Sequence, residues 1–210
     1  MRQNRDHEGG AAARRLGDPW RELADAGRGY LSVYFSEPLA RWPVREITRR
    51  ADNKSDPNIE TGTYGLFSTC EPSMRNRIVL DGAATIFFLT TRKPHQGRVI
   101  SGYYHVGWYT EGTQGAVNRD YALAADKMHF IDPILASDLA EPLAAIGSTQ
   151  FRTMKPIDVE TVATLRRICD ERPDRTAEYL GEVERIEAFA RARSGYAYPS
   201  WGREAGFSWA

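Results

Sequence analysis

The sequence predicts an α+β fold in which a small β-barrel core is flanked by helices. Residues 85–91 carry apolar side chains on both faces, Ile86 and Phe88 on one and Phe87 and Leu89 on the other, as in a central strand that is covered on both sides. Residues 98–109 alternate between polar and apolar side chains, as in a strand with two different faces. Residues 159–189 repeat apolar side chains at helical spacing. Strands followed by helices indicate the α+β class.

Composition limits the compartment and the partners. The 28 Lys and Arg residues balance the 28 Asp and Glu residues, so an anionic partner must be met by a local patch. The two cysteines, Cys70 and Cys169, lie far apart in the chain, which favours a reducing compartment and a cytoplasmic protein without a structural metal site. We find no apolar run of the kind that targets or spans a membrane, so we predict no membrane partner.

The amino-terminal region is predicted to lie outside the core. Residues 1–17 are polar and have too few large apolar side chains to offset chain entropy, so we expect disorder there. Residues 18–62 are predicted to form a helical extension and a linker. Residues 36–39 have the Ser-Glu-Pro-Leu pattern of a helix start, and residues 53–58 have the composition of a linker.

The β-barrel core is predicted to span residues 63–135. A short strand at 63–69 is followed by a polar, cationic loop that begins at Glu71-Pro72 and leaves the sheet before strand 85–91. Alternation in the strand 98–109 divides its side chains between two faces. The first face is predicted to carry Ile100, Tyr104, Val106 and Trp108, and the second Ser101, Tyr103, His105 and Tyr109.

The carboxy-terminal region, residues 136–210, is predicted to form a helical hairpin and an aromatic tail that both pack on the core. Asp158 is a suitable cap for the first helix, and Pro173-Asp174 opens the second. The tail, residues 194–210, contains five aromatic side chains in a stretch too rich in glycine for a helix.

Four short motifs follow one another between residues 63 and 131. They are Tyr64-Gly-Leu-Phe-Ser-Thr-Cys-Glu-Pro72, Met74-Arg-Asn76, Leu80-Asp-Gly82 with Ile86-Phe-Phe-Leu89, and Val99-Ile-Ser-Gly-Tyr-Tyr-His-Val106. In this order they resemble the EVE branch of the PUA-like domains, whose relatives include the YTH, ASCH and SRA modules. The resemblance covers about a third of the chain and implies a PUA-like barrel.

The same resemblance implies a module that binds DNA or RNA and accepts a modified nucleobase, either flipped from a duplex or single-stranded. Unstacking a base costs a few kcal/mol, which stacking on aromatic side chains and hydrogen bonds to the base edge recover. The implied base-binding residues are Ser68, Thr69, Glu71, Asn76, Tyr103, Trp108 and Tyr109, and the implied phosphate-binding residues are Arg75, Arg77, Arg92 and Lys93. No cofactor, metal ligand or catalytic residue is predicted. A nuclease or another effector protein as partner, in prokaryotic defence or nucleic-acid surveillance, is a further extrapolation from the family.

Two alternatives stay open. Cys70, His105 and either Glu71 or Asp126 are suitable as nucleophile, base and orienting group of an enzyme that acts on a nucleotide or nucleic acid. The aromatic tail, residues 196–209, is suitable for docking a protein partner. Trp108 also has a structural alternative, because it shares its predicted face with apolar core residues.

Overall fold

A curled, half-barrel sheet forms the centre of the computed structural model, which describes residues 20–34, 42, 64–68, 72–91, 97–110, 122–141, 143–148 and 154–195. Its strands are β1 (Trp20–Glu22), β2 (Arg28–Tyr34), β3 (Leu66–Ser68), β4 (Ala83–Thr91), β5 (Arg98–Thr110), β6 (Ala122–Leu135) and β7 (Met154–Ile157). The helices are α1 (Pro72–Asp81), α2 (Ala145–Ser148), α3 (Val159–Asp170) and α4 (Thr176–Ser194), and a 3₁₀ turn covers Ala136–Asp138. The α+β prediction is confirmed, and the curled sheet is compatible with a small barrel core.

The order of the strands is β3-β6-β5-β4-β2-β7, and β1 pairs with the end of β5. The pairing of β2 with β4 is parallel, and the other pairings are antiparallel. One edge of β5 pairs with β6 along most of its length, while the other edge pairs first with β4 and then with β1. The long strand β5 therefore holds the sheet together.

Irregular pairing in β5 corrects the predicted alternation. The ladder between β5 and β6 changes register at three places, the first between Ile100 and Gly102. Gly102 has φ +142°, and a Cβ atom there would lie 2.3 Å from the carbonyl oxygen of His129. Each irregularity bends the strand and shifts which side chains share a face. Ile100 consequently packs with Tyr103, and Tyr109 packs in the cluster that holds Tyr104, so the predicted faces were wrong for Ile100 and Tyr109.

Two apolar cores lie on opposite faces of the sheet. The neighbouring residues Phe87 and Phe88 of β4 belong to different cores, as expected of a strand covered on both sides, so the prediction for 85–91 is confirmed. On the Phe88 face the core includes α4, where the Tyr179 ring stacks on Phe130 at 3.7 Å between centroids. The Phe87 face packs against α3 through Val162 and Leu165.

The carboxy-terminal helices begin where the sequence predicted. The Asp158 side chain accepts a hydrogen bond of 2.7 Å from the Thr161 amide, so its capping role is confirmed, and α4 begins shortly after Pro173-Asp174. The helices lie on opposite faces of the sheet rather than together on one face, because their apolar stripes belong to different cores. Their spacing in the sequence identifies the stripes but not the surface that each stripe covers.

The amino-terminal prediction was wrong for 20–22 and 28–34, which are strands rather than helix. The run Gly29-Tyr-Leu-Ser-Val-Tyr34 is rich in aromatic and β-branched residues that favour a strand. Strand β2 lies between β4 and β7, so the sheet extends beyond 63–135 on both sides in sequence. The predicted loop after Glu71 is also corrected, since Pro72 opens α1, a position where its missing N–H costs no helical hydrogen bond. The predictions for 1–17, 36–39, 53–58 and 196–210 lie outside the described residues.

Candidate binding pocket

A pocket of about 280 Å³ opens where β2, β7, the end of α1 and the start of α3 meet. Its volume lies near the lower end of the range for small-ligand sites, roughly 300–1,000 Å³. The lining residues are Arg28, Gly29, Tyr30, Asp81, Pro156, Ile157, Asp158 and Val159. The polar groups come from β2, α1 and the α3 cap, whereas β7 and the first residue of α3 supply the apolar wall.

Close packing of α3 against β2 forms one side of this pocket. A Cβ atom on Gly29 would lie 2.7 Å from the Thr85 carbonyl oxygen and 2.8 Å from Cγ2 of Val162. The absence of a side chain at Gly29 therefore allows α3 to approach the strand. As a result the first residues of α3 stand beside Arg28 and Tyr30.

The polar end of the pocket is organised around Asp81, the last residue of α1. The Tyr30 hydroxyl donates a hydrogen bond of 3.2 Å to Oδ2 of Asp81, and Nη1 of Arg28 lies 4.0 Å from Oδ1. Burial, assisted by the Asp81 charge, raises the pKa of Tyr30 to about 12. Tyr30 therefore remains a neutral donor at physiological pH, and it keeps the carboxylate oriented.

The loop between β1 and β2 fixes this end of the pocket further. Gly82 ends α1 with φ +58°, and its carbonyl oxygen accepts a hydrogen bond of 2.9 Å from the Ala26 amide. Gly27 follows with φ +70° and directs the chain into Arg28. A backbone hydrogen bond thus joins the end of α1 to the loop that leads into β2.

Asp158 lines the pocket, but its carboxylate already caps the amino terminus of α3. Oδ1 of Asp158 accepts the Thr161 amide, and this hydrogen bond lowers the pKa of Asp158. The positive end of the helix dipole is therefore compensated by a residue of the chain itself. Arg28 and Asp81 remain as the charged pair that can meet a ligand.

Of the predicted phosphate-binding residues, Arg77 has a described side chain, and this side chain lies near the pocket. It is exposed on α1, and its charge is close enough to Tyr30 to oppose part of the increase in the pKa of Tyr30. Arg28 lines the polar end of the pocket, and Arg77 lies within electrostatic range of Tyr30. The phosphate-binding role of Arg77 stays a prediction.

The predicted aromatic residues of β5 lie elsewhere. Tyr103 is 0% exposed, packs in the Phe87 core and donates a hydrogen bond of 2.6 Å to Oδ1 of Asp170. Its ring is covered by the core in this conformation, and its base-binding role stays a prediction. Trp108 is 8% exposed and Tyr109 is half-buried, and neither lines the pocket. Their base-binding roles stay predictions.

The side chains of the remaining predicted residues are outside the described part of the structure. Thr69, Cys70, Glu71, Arg92 and Lys93 lie outside the described residues. For Ser68, Arg75 and Asn76 only the backbone is described: Ser68 ends β3, and the other two lie in α1. Their roles also stay predictions.

His105 forms a second polar cluster, away from the pocket. Its Nδ1 lies 2.5 Å from Oδ1 of Asp126, and its Nε2 lies 3.4 Å from Oδ2 of Asp25. The pairing with Asp126 matches the base and orienting group of the enzymatic alternative. The second ring nitrogen, Nε2, faces Asp25 rather than a space that a substrate could enter. In this conformation His105 therefore links β5, β6 and the loop between β1 and β2.

In the part of the chain that the structure describes, no group of three His, Cys, Asp or Glu side chains is arranged to hold a metal ion.

No protein-family model and no curated protein matches this chain. Among the described helices, none is both long and apolar enough to cross a lipid bilayer.

Sequence reasoning missed the part of the pocket that β2 contributes. Asp81 belongs to the Leu80-Asp-Gly82 motif, but Arg28 and Tyr30 fall in the region that was predicted to be helical. The alternation Arg28-Gly-Tyr30 within a strand-like run was the available signal, since alternate residues of a strand point to the same side. Arg28 and Tyr30 approach Asp81 across about 50 positions of sequence, and the periodicity of side chains within one element does not predict such a contact.

Proposed function

We propose that this protein binds nucleic acid and holds one modified nucleobase, flipped or single-stranded, in the pocket between β2, β7, α1 and α3. The observation that carries this proposal is the pairing of Arg28 with Asp81 at one end of a small pocket whose wall is apolar. A nucleobase matches this arrangement, because it has polar atoms at its edge and an apolar π-face. Pro156, Ile157 and Val159 supply the apolar surface.

The pocket volume supports a single ring system. At about 280 Å³ the space lies just below the range that holds drug-sized ligands, so it suits one planar heterocycle better than a larger ligand. The remainder of a polynucleotide would continue over the outer surface. Exposed cations are needed along that path, because phosphates provide much of the affinity.

Arg77 is the described cation best suited to this backbone contact. It is exposed and lies in the same helix as Asp81, so a base in the pocket would bring its own phosphate towards α1. The formal net charge of zero makes such a local contact necessary. The wider role follows from the EVE-like resemblance: a cytoplasmic module that works beside a nuclease or another effector in prokaryotic defence or nucleic-acid surveillance.

A binding screen tests the proposal. The full chain is titrated with fluorescent oligonucleotides that carry different modified bases, at two salt concentrations, and anisotropy gives the Kd. We expect one modification to bind more tightly than its unmodified parent, with affinity that falls as salt rises. Arg77→Ala should weaken every oligonucleotide alike and reduce the salt slope by about 1. Arg167→Ala is the matched control, because Arg167 is exposed on α3 and pairs with Glu171.

Two results would count against this function. The first is the absence of binding at either salt concentration. The second is an Arg77→Ala variant that behaves like Arg167→Ala, which would remove α1 from the path of the backbone.

The contact between His105 and Asp126 supports a second candidate function, an enzyme that acts on a nucleotide or nucleic acid through Cys70. In this reading His105 is the base and Asp126 orients it. Nucleotide or oligonucleotide hydrolysis that is lost in Cys70→Ser and in His105→Gln would favour the enzyme. Retention of the reaction in both variants would exclude this pair as its catalytic residues.

A further inference from the structure

We infer that the pocket recognises a heterocycle edge on which a hydrogen-bond acceptor stands beside an N–H donor, the acceptor meeting Arg28 and the donor meeting Asp81. This inference rests on the proposed function and specifies which edge of the base is read. The same edge limits the modifications that the pocket can accept.

Asp81 has acceptor capacity that the described residues do not use. Its Oδ2 accepts the Tyr30 hydroxyl, but Oδ1 accepts no hydrogen bond from the described part of the chain, and Nη1 of Arg28 stops at 4.0 Å. That separation exceeds a hydrogen bond, for which N–H···O distances are about 2.7–3.2 Å. A carboxylate oxygen has two lone pairs, so Oδ1 can receive a ligand N–H while Tyr30 holds the other oxygen.

Arg28 supplies the opposite half of the recognition. Its guanidinium carries five N–H donors and no acceptor, and its side chain is 58% exposed. An ion pair this exposed and this long contributes little to stability, so a ligand can enter between the partners at small cost. An acceptor and a donor on adjacent atoms then replace the long contact with two charge-assisted hydrogen bonds. Unblocked edges of this kind occur on adenine, cytosine, guanine and thymine, where a ring N or a carbonyl stands beside an N–H.

Phosphate is the less suitable occupant of the same space. Asp81 and Asp158 both line the pocket, and Asp158 already compensates the positive end of α3. A phosphate inside would face two carboxylates, whereas a base edge with an N–H satisfies one of them. The base therefore belongs inside, and the phosphates belong outside with Arg77.

This geometry restricts the modification. A group that removes every N–H from the edge leaves Asp81 without its partner, and a site built for hydrogen bonding rejects ligands that lack the donor. An apolar group on another part of the ring instead meets Pro156, Ile157 and Val159. The accepted modification thus keeps at least one edge N–H and adds apolar surface elsewhere.

The test uses oligonucleotides in which a single base is flanked by abasic sites. Three pairs are compared: adenine with N6,N6-dimethyladenine, cytosine with N4,N4-dimethylcytosine, and thymine with N3-methylthymine. For the base that binds, we expect the blocked member to bind at least about 10-fold more weakly. Asp81→Asn should reduce that ratio, because an amide presents a donor as well as an acceptor. Asp138→Asn is the matched control, since it removes the same charge from an exposed residue of the 3₁₀ turn.

Free nucleosides separate this inference from the proposed function. Their binding to the full chain is followed by ligand NMR, with wild-type protein and with Asp81→Asn. If oligonucleotides fail to bind but unblocked nucleosides bind in an Asp81-dependent way, nucleic-acid binding is wrong and the edge recognition stands. If oligonucleotides bind while blocked and unblocked bases are equal, or both aspartate variants give the same ratio, the edge recognition is wrong. Absence of binding by both classes of probe overturns both proposals.

Discussion

The Tyr30 hydroxyl donates a hydrogen bond of 3.2 Å to Oδ2 of Asp81, although 51 positions separate the two residues in sequence. This contact joins the start of β2 to the last residue of α1. Because Arg28 lies near the other carboxylate oxygen, the same contact determines which lone pairs of Asp81 are available to a ligand.

Replacing Tyr30 with Phe keeps the ring and removes the hydroxyl. We expect the free energy of unfolding to fall by about 0.5–1.5 kcal/mol, the usual net contribution of one hydrogen bond. We also expect discrimination between blocked and unblocked bases to decrease, because Asp81 can then rotate. Denaturant titration and the oligonucleotide assay measure the two effects. Full discrimination in Tyr30→Phe would show that the hydroxyl does not position Asp81.

Alkaline pH provides a test that needs no ligand. Burial raises the pKa of Cys169 from 9.0 to about 12 and that of Tyr30 from 10.0 to about 12, and it also raises the pKa values of Tyr103 and Tyr104. In the folded state these acids keep their protons to a higher pH than in the unfolded state. Stability is therefore fully present below pH 9.0 and decreases as pH rises towards 12.

Cys169→Ala identifies the first step of that decrease. We expect the onset of destabilisation to move from near pH 9.0 to near pH 10.0, where the tyrosines of the unfolded chain begin to ionise. Urea unfolding across the pH series measures the onset. The same onset in both proteins would mean that the buried thiol does not contribute.

Two glycine substitutions test the irregularity in β5. In Gly102→Ala the new methyl group would lie 2.3 Å from the His129 carbonyl oxygen, at φ +142°, so we expect a loss of roughly 1–3 kcal/mol or more. Gly181→Ala is the control, because a Cβ atom there meets nothing within 4 Å in α4. The control should gain up to about 1 kcal/mol, since alanine favours a helix over glycine. Similar stabilities for the two variants would contradict the close approach of β5 and β6.

Tyr103→Leu tests the predicted base-binding role of Tyr103. Leucine keeps an apolar side chain in the Phe87 core but removes the aromatic ring and the hydrogen bond to Asp170. We expect lower stability and an unchanged oligonucleotide Kd for the folded protein. Loss of a stacking partner would instead weaken binding by about 1–3 kcal/mol. Such a loss at full folding would support the base-binding role of Tyr103.

Much of the fold was predictable where local pattern decides the structure. The apolar run around Phe87 and Phe88 identified a strand covered on both faces, and Asp158 identified the start of α3. The strand β2 is not evident from the mixed pattern of residues 18–52, where the helix start at 36–39 follows closely after the aromatic and β-branched residues of 29–34. Irregularities such as the one at Gly102 depend on pairing with another strand, so alternation alone could not place Ile100 and Tyr109.

The candidate site was less predictable than the fold. Arg77 and the Leu80-Asp-Gly82 motif both lie in residues 63–131, the part of the chain in which the sequence predicts a site. Arg28 and Tyr30 reach Asp81 only because β2 pairs in parallel with β4 beside the end of α1. Two parallel strands that pair are separated by a long connection in the sequence, so the local pattern of residues does not predict which strands pair.

Difference mapping by NMR tests the pocket most directly. Backbone amide shifts of the full chain are recorded with an oligonucleotide that carries the preferred base and with the same oligonucleotide made abasic at that position. We expect the differences between the two spectra to concentrate at Arg28, Gly29, Tyr30, Asp81 and Ile157–Val159. Differences centred instead on Trp108 and Tyr109, or no differences between the two spectra, would contradict base binding in this pocket.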